Sequence, residues 1–500
     1  MSSPKNTSPP ASIAEKEASK DEANNNKDLI VELENLSKEK DSLTKALVRK
    51  LDRRILPLLC TLYLLSYIDR SNIGNAKLGG LEKDLNLSKS QYQWSLSIFY
   101  FSYVIFDLPS NIIMRRWRPS YWLGILMFFW GTVATAMAAS KNFASIASAR
   151  FFIGLFEAGF FPGVIYFMSL WYTRQEYGRR ISFFWSFSSL AGAFGGLIAY
   201  GISQISDDRL KTWQWLFIIE GIPTIILAVF TAWYLPNEPE SAKFLTKEER
   251  EFATTRLAED AGASHNHSWS WAQVASVFTD WKTYIFMAVY ITGTSALQGV
   301  TLFLPSIVSG LGTWPTPVSQ ALTTPPYFLA FLVTVAVGWS SDRYFERAYH
   351  MLATNVVALL GFLLLMFLPT SNVAGNYIAA CIVTVGVYAN VAVKVAWFNN
   401  NFGGLTRRAV ASAAIVSVGT IGGAIGGQIY YDPPKYFGGN CIAFGCMAAQ
   451  TVLVVILRIL LARENKRRTF LTDSQKEQEI EKYGGYDLVG DRHPSFRYVL

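Results

Sequence analysis

The sequence predicts an all-helical membrane protein, twelve transmembrane helices arranged as two six-helix pseudo-repeats. Three observations predict it. Apolar runs recur twelve times along the 500 residues, each of about 20 residues and so able to cross ~30 Å of hydrocarbon as a helix. Charged residues make up only 16% of the chain, against about 25% in soluble domains. A stripe of glycines also recurs in the fifth run of each half: Gly192, Gly195 and Gly196 in the first, Gly419, Gly422, Gly423, Gly426 and Gly427 in the second. Small residues at this spacing let helices approach closely, and their matched positions argue for a repeated unit.

Residues 1–50 are rich in Ser, Asn, Lys and Glu and read as a disordered cytosolic N-terminal tail, with a short charged helix near its end. The N-terminal bundle occupies 51–235, with spans at 55–74, 93–113, 120–139, 143–171, 181–204 and 213–235. A polar cytosolic linker covers 236–282. The C-terminal bundle occupies 283–461, with spans at 283–309, 319–340, 350–369, 376–398, 407–430 and 440–461, and Pro325-Pro326 is expected to break or kink the eighth. A cytosolic tail, 462–500, closes the chain.

Twelve spans put both termini on one side, and Lys and Arg identify it. The short loops on that side carry ten basic residues (Arg115, Arg116, Arg118, Arg174, Arg179, Arg180, Arg343, Arg347, Arg407 and Arg408) and the opposite loops seven, with Arg463, Lys466, Arg467 and Arg468 just beyond the last span. The termini are therefore expected in the cytosol. Of the Asn-X-Ser/Thr matches at Asn6, Asn35, Asn86 and Asn266, only Asn86 then faces outside, and it is the candidate glycosylation site. The net charge of +8 follows from these loops and does not signal nucleic acid. The four cysteines lie within apolar stretches, and the His265-X-His267 pair has no further ligand nearby. No metal, no cofactor and no enzyme activity is expected, since no nucleophile–base arrangement is present.

Charges inside the spans point to the function. Asp69 and Arg70 sit side by side in the first span, where each costs roughly 2.5–3.5 kcal/mol even on a lenient insertion scale. Arg150 and Glu157 lie seven residues apart in the fourth, on one helix face and ~10 Å apart along the axis. The two pairs share a depth and are expected to meet across a cavity. Arginine stays protonated and forks onto carboxylates, which suits an anionic cargo for Arg70 and Arg150. A partly desolvated carboxyl is neutral in one state and charged in another, which suits proton coupling at Glu157 and, second, at Asp69. Asp69 is expected to hold Arg70 in place when the site is empty. Asp107 reads as a packing or gate residue, Lys394 as a snorkelling side chain, and Gln298 and Asn401 as polar groups able to bond the cargo.

These residues resemble a known family, the major facilitator superfamily of transporters, and within it the fungal allantoate permease branch of the anion:cation symporters. The marks are Leu-Asp-Arg-Arg-Ile-Leu-Pro at 51–57, Tyr-Ile-Asp-Arg-Ser-Asn-Ile-Gly-Asn-Ala-Lys at 67–77, Arg-Phe-Phe-Ile-Gly-Leu-Phe-Glu-Ala-Gly-Phe-Phe-Pro-Gly at 150–163, Trp171-Tyr172, Asn-Phe-Gly-Gly-Leu-Thr-Arg-Arg-Ala at 401–409 and Phe-Arg-Tyr-Val-Leu at 496–500. The resemblance implies the major facilitator fold, the superfamily loop motif at Asp342 and Arg343, and proton-driven uptake of a small organic anion such as a carboxylate vitamin or ureide, the first span leaning toward nicotinate-permease-like members. It implies that Arg70 contacts the anion, that Asp69 and Glu157 handle protons and that Arg150 joins their network. The loop at 110–118 lacks the superfamily's usual Gly and Asp, and Thr420 stands where many branch members have Asn. The sequence thus reads as a monomeric symporter of the plasma membrane, its partners a small organic anion, a proton and the lipid bilayer. The alternatives are a proton-independent exporter of a small acid or secondary metabolite, and a nutrient sensor that does not transport.

Overall fold

The computed structural model describes residues 11–205, 209–261, 271–403, 405–433, 435–483, 485 and 489–500, with side chains from residue 38 onward apart from a few inside helices. His265, His267, Asn6 and Asn266 lie outside the described residues, as does the side chain of Asn35. Among the described residues all regular structure is helical. The chain divides into two compact units, Met1–Ile55 and Leu56–Leu500. The first differs from the disordered tail expected at 1–50: one helix, Ala11–Leu78, runs through it and on through the first span. Residues 11–56 contain no Gly or Pro, and Glu34/Lys38 and Asp41/Lys45 stand at the i,i+4 spacing that supports a helix.

The remaining spans follow in the order expected. They are Lys89–Arg116, Pro119–Ala136, Phe143–Glu157 continued by Phe160–Ser169, Arg174–Ile202 and Thr212–Tyr234 in the first half. In the second they are Trp281–Gly310, Thr316–Ala321 continued by Thr324–Tyr344, Ala348–Phe367, Val373–Asn400, Leu405–Ile429 and Phe437–Thr469. Ten helices among the described residues are long and apolar enough to cross a membrane by composition alone. The first span misses that mark because Asp69, Arg70, Asn72 and Asn75 are polar. In hydrocarbon every backbone group must be satisfied internally, and the starts are capped accordingly: Ser88 and Gln91 form a reciprocal capping box, and the Asp280 side chain accepts from the Lys282 N–H. Asn86 is exposed in the short loop between the helices Leu81–Asp84 and Lys89–Arg116, at the end away from the termini.

Two spans are discontinuous, each for a stated reason. The eighth breaks at Leu322 and Thr323, with Pro325 and Pro326 opening its second piece. The fourth breaks at Ala158 and Gly159, directly after Glu157. Pro162 has no N–H to offer the Ala158 carbonyl, and Gly159 passes so close to the second span that a Cβ would lie 1.7 Å from Ser110 Oγ. Gly154, one turn earlier, is tighter still against backbone: its Cβ would meet Phe99 O at 2.2 Å.

The C-terminal segment is strapped across the terminus-side end of the second half. Asp491, fully buried, takes Lys282 Nζ at 2.5 Å and Arg407 Nε at 3.2 Å. Burial by itself would push its carboxyl up, but the two cations outweigh that and hold it below the ordinary carboxylate value. Arg468 donates to the carbonyls of Asp491, His493 and Phe496. Asn401 accepts from the Val499 N–H at 2.9 Å and donates to Val499 O at 3.0 Å. Asn401 therefore fastens the tail, in place of the cargo contact expected from sequence. Past the tenth span the Gly403 N–H likewise finds its acceptor in the tail, Asp491 Oδ1 at 3.2 Å.

Two outcomes are expected. Gly154→Ala should lower the melting temperature of the detergent-solubilised protein, by the equivalent of roughly 1–3 kcal/mol of overpacking; an unchanged melting curve would contradict the tight crossing. The carboxylate lock at Asp491 contributes in full above the ordinary Asp value and is lost as pH falls through the lowered one. Protease nicking of 489–500 should therefore stay slow down to about pH 4 and accelerate below it, whereas Asn401→Ala should speed it at neutral pH.

Candidate functional site

The first span is a helix, so neighbouring residues 69 and 70 project about 100° apart and do not face each other. Arg70 turns to the fourth span. Its Nη2 lies 2.7 Å and its Nε 3.2 Å from Glu157 Oε1, and Ser66, one turn back on the same face, donates to that oxygen at 2.5 Å. Glu157 Oε2 is buried without a hydrogen bond. The guanidinium is boxed by aromatic rings, at 5.6 Å from the Tyr67 centroid, 5.2 Å from Phe99 and 5.3 Å from Tyr103. Arg70 is 13% exposed and Glu157 1%. The pair is thus reachable on the Arg70 side.

Arg150 stands behind it, fully buried. Its Nη1 donates to the Arg70 carbonyl at 3.3 Å and its Nε to the Ser95 carbonyl at 3.4 Å, and it lies 5.0 Å from the Phe99 ring. The structure therefore gives Arg150 a different place from the direct contact expected: it holds the backbone that carries Arg70. Asp69 also departs from expectation. Its Oδ2 accepts from Thr224 Oγ1 at 2.8 Å and Trp130 Nε1 at 3.2 Å, on the side of the first span away from Glu157, so it is not the counter-ion of Arg70. Glu220, one turn before Thr224, is buried with neither carboxyl oxygen hydrogen-bonded; Asn72 lies beside it without forming a bond. Glu157 rather than Asp69 occupies Arg70, and Asp69 and Glu220 form a second acidic locus that the sequence reading did not pair.

The two halves meet around this site through the glycine stripes. A Cβ at Gly192 would strike the Tyr327 ring at 2.7 Å, and one at Gly423 the Tyr100 ring at 2.3 Å. The fifth span thus receives a tyrosine from the eighth, and the eleventh receives one from the second. At the end away from the termini, Ser97 donates to Ala424 O at 2.8 Å and accepts from Gln428 Nε2 at 2.8 Å, and Gly74 packs on Leu302 O. Toward the termini, Asp107 accepts from Ser417 of the eleventh span and from Asn111 at 3.0 Å, a contact between halves. Gln298 is buried on the seventh span beside Gly426, its Oε1 without a partner.

Other expected residues lie elsewhere. Asp342 pairs with Arg347 at 2.7 Å, and Arg343 stacks 5.5 Å from the Trp339 ring, both at the terminus-side end of the eighth span. Asn390 is bonded to Asn355 and Gln450, and Asn399 accepts from Ser412, so both tie helices together. Lys394, expected to snorkel, is 1% exposed, because the tenth span is covered on most of its surface. Sequence reasoning missed Ser66, Trp130 and Thr224; for Ser66 the i, i+4 spacing to Arg70 was the available signal.

Comparison with known proteins agrees with this architecture. The sequence profile of the Major Facilitator Superfamily matches residues 59–427. The chain is 34% identical over 451 residues to MFS transporter prlL of a fungal species, covering 88% of this chain and 91% of the relative. It is 33% identical over 468 residues to the major facilitator-type transporter hxnP of Emericella nidulans, covering 91% and 93%. Among solved structures, the partially occluded inward-open xylose transporter XylE from E. coli superposes with a TM-score of 0.60 at 13% identity, over 79% of this chain and 95% of that one. A bacterial homologue of the human lysosomal transporter Spinster, inward-facing and unoccupied, gives 0.55 at 15% identity, over 80% and 94%. The chain is an integral, multi-pass membrane transporter that belongs to the Major Facilitator Superfamily.

Proposed function

We propose that this transporter carries a small organic anion together with a proton, by alternating access, at the plasma membrane with both termini in the cytosol and as a monomer. The resemblance to the allantoate permease branch supports an anionic cargo. The observation that carries the reading is the Arg70–Glu157 pair: a buried glutamate holds an arginine that is itself 13% exposed.

The mechanism follows from competition. A cargo carboxylate binds Arg70 by taking the fork that Glu157 holds. A glutamate so displaced is a buried charge without its partner, and breaking such a pair costs about 3–5 kcal/mol. Protonation removes that cost. Anion and proton therefore favour each other's binding, and by linkage the favour is mutual. Charge bookkeeping agrees: the pair is neutral when empty, and stays neutral when one monoanion and one proton enter together. Ser66 donates to the carboxylate form and turns to accept from the protonated one, since its hydroxyl serves as donor or acceptor. Arg150 keeps the backbone of Arg70 in place through both states. Asp107–Ser417 closes the terminus-side end of the path between the halves, and the Ser97–Gln428 contact the other.

The expected outcomes are these. In cells lacking their own carriers, a radiolabelled panel of monocarboxylate vitamins and ureides should include a cargo taken up faster at acidic than at neutral pH. Arg70→Ala should abolish that uptake at normal surface expression; normal uptake would sink the binding role. Glu157→Gln should lose accumulation driven by the pH gradient and keep cargo exchange. Accumulation that persists in Glu157→Gln would move the coupling elsewhere.

A further inference from the structure

Lys394 is the buried cation that the exchange at Glu157 leaves unused. It lies in the tenth span with 1% of its surface exposed, and its Nζ makes no hydrogen bond. Its neighbours offer it no anion. Nζ sits 4.4 Å from the Tyr290 ring centroid and 3.0 Å from where a Cβ at Gly293 would be, with the Gln450 amide nitrogen against the same point. That amide nitrogen already donates to Val289 O at 2.9 Å. Asn390, one turn away, is engaged by Asn355 and Gln450. Glycine at 293 leaves room for the ammonium, and a tyrosine face alone is weak compensation for a desolvated charge. An intramembrane ionisable group of this kind marks a cargo path.

Its place connects it to Arg70. The Tyr290 ring rests on Gly419 of the eleventh span, and one turn further Gly423 receives Tyr100 of the second span. Tyr100 packs edge-on against Phe99, 5.0 Å between centroids, and Phe99 is the ring that lies beneath both Arg70 and Arg150. Tyr290 itself is within electrostatic reach of Arg70 and Tyr67. Arg70 of the first half and Lys394 of the second thus flank the seam between halves, separated by a layer of tyrosines.

We propose that Lys394 binds a second anionic group of the cargo, so that the preferred substrate class is a dicarboxylate bridging Arg70 and Lys394. This rests on the anion-carrying reading of Arg70. It also accounts for the charges: with Glu157 protonated, two cations face two carboxylates. A bridging cargo ties the halves together, which couples its binding to their closure.

The test uses the purified full-length protein in detergent, with thermal stabilisation as the readout and skeleton-matched probes: succinate against butyrate, and phthalate against benzoate. In the wild type, at least one dicarboxylate should stabilise at about tenfold lower concentration than its monocarboxylate partner, roughly the effect of one added charged contact. Lys394→Met should erase that ratio while leaving the monocarboxylate dose unchanged, and Lys394→Arg should restore part of it, which a merely structural lysine would not do. Equal doses in the wild type, a ratio that survives Lys394→Met, or no stabilisation by any probe would overturn the proposal. Arg70→Ala separates the two readings. If it removes all stabilisation while Lys394→Met leaves the ratio intact, only the second site fails; if it leaves all stabilisation intact, the anion reading of Arg70 fails with it.

Discussion

The structure depends on one buried ion pair whose acid is less accessible than its base. Glu157 is enclosed at the break of the fourth span, and Arg70 reaches it from the first with part of its surface exposed. In a low-dielectric interior neither partner can be left alone cheaply. Anything anionic that takes Arg70 must therefore be accompanied by a change at Glu157. The neighbourhood holds the pair in place: Ser66 supports the carboxylate, Arg150 fixes the Arg70 backbone, and three aromatic rings confine the guanidinium. The break at Ala158–Gly159 follows from Pro162 and ends the helix at the residue that needs to be free of it.

The packing around the pair follows a pseudo-symmetric rule. The fifth and eleventh spans present glycines, and the eighth and second present Tyr327 and Tyr100 to fill them. At these two points the close contact is ring against backbone; beside them Thr324 Oγ1 donates to Ala193 O and Ser97 Oγ to Ala424 O, so the seam carries hydrogen bonds as well. Further polar contacts between halves include Ser97–Gln428 and Gln320–Asn75 on the side away from the termini and Asp107–Ser417 toward them.

Much of the fold was legible because membrane crossing leaves a coarse signal. The twelve spans, the break before Pro325-Pro326 and the repeated stripe are all written in local composition. The helix through the N-terminal segment lacks the apolar run that announces the spans, so composition did not signal its length. At the site, residue types were legible and pairings were not. Asp69 and Arg70 are adjacent in sequence and diverge on the helix, a consequence of 3.6 residues per turn. Asn401 and Lys394 were misplaced because each depends on what covers it, the C-terminal strap for one and the seventh span for the other, and neither cover is a local property of the chain.

The central claim is that a proton enters with the anion and rides on Glu157. Proteoliposomes with an entrapped pH-sensitive dye test it most directly, using a cargo found by uptake. Adding cargo outside should acidify the lumen of wild-type vesicles, and vesicles bearing Glu157→Gln should exchange cargo with no acidification. Acidification that persists in the Glu157→Gln protein would contradict the account.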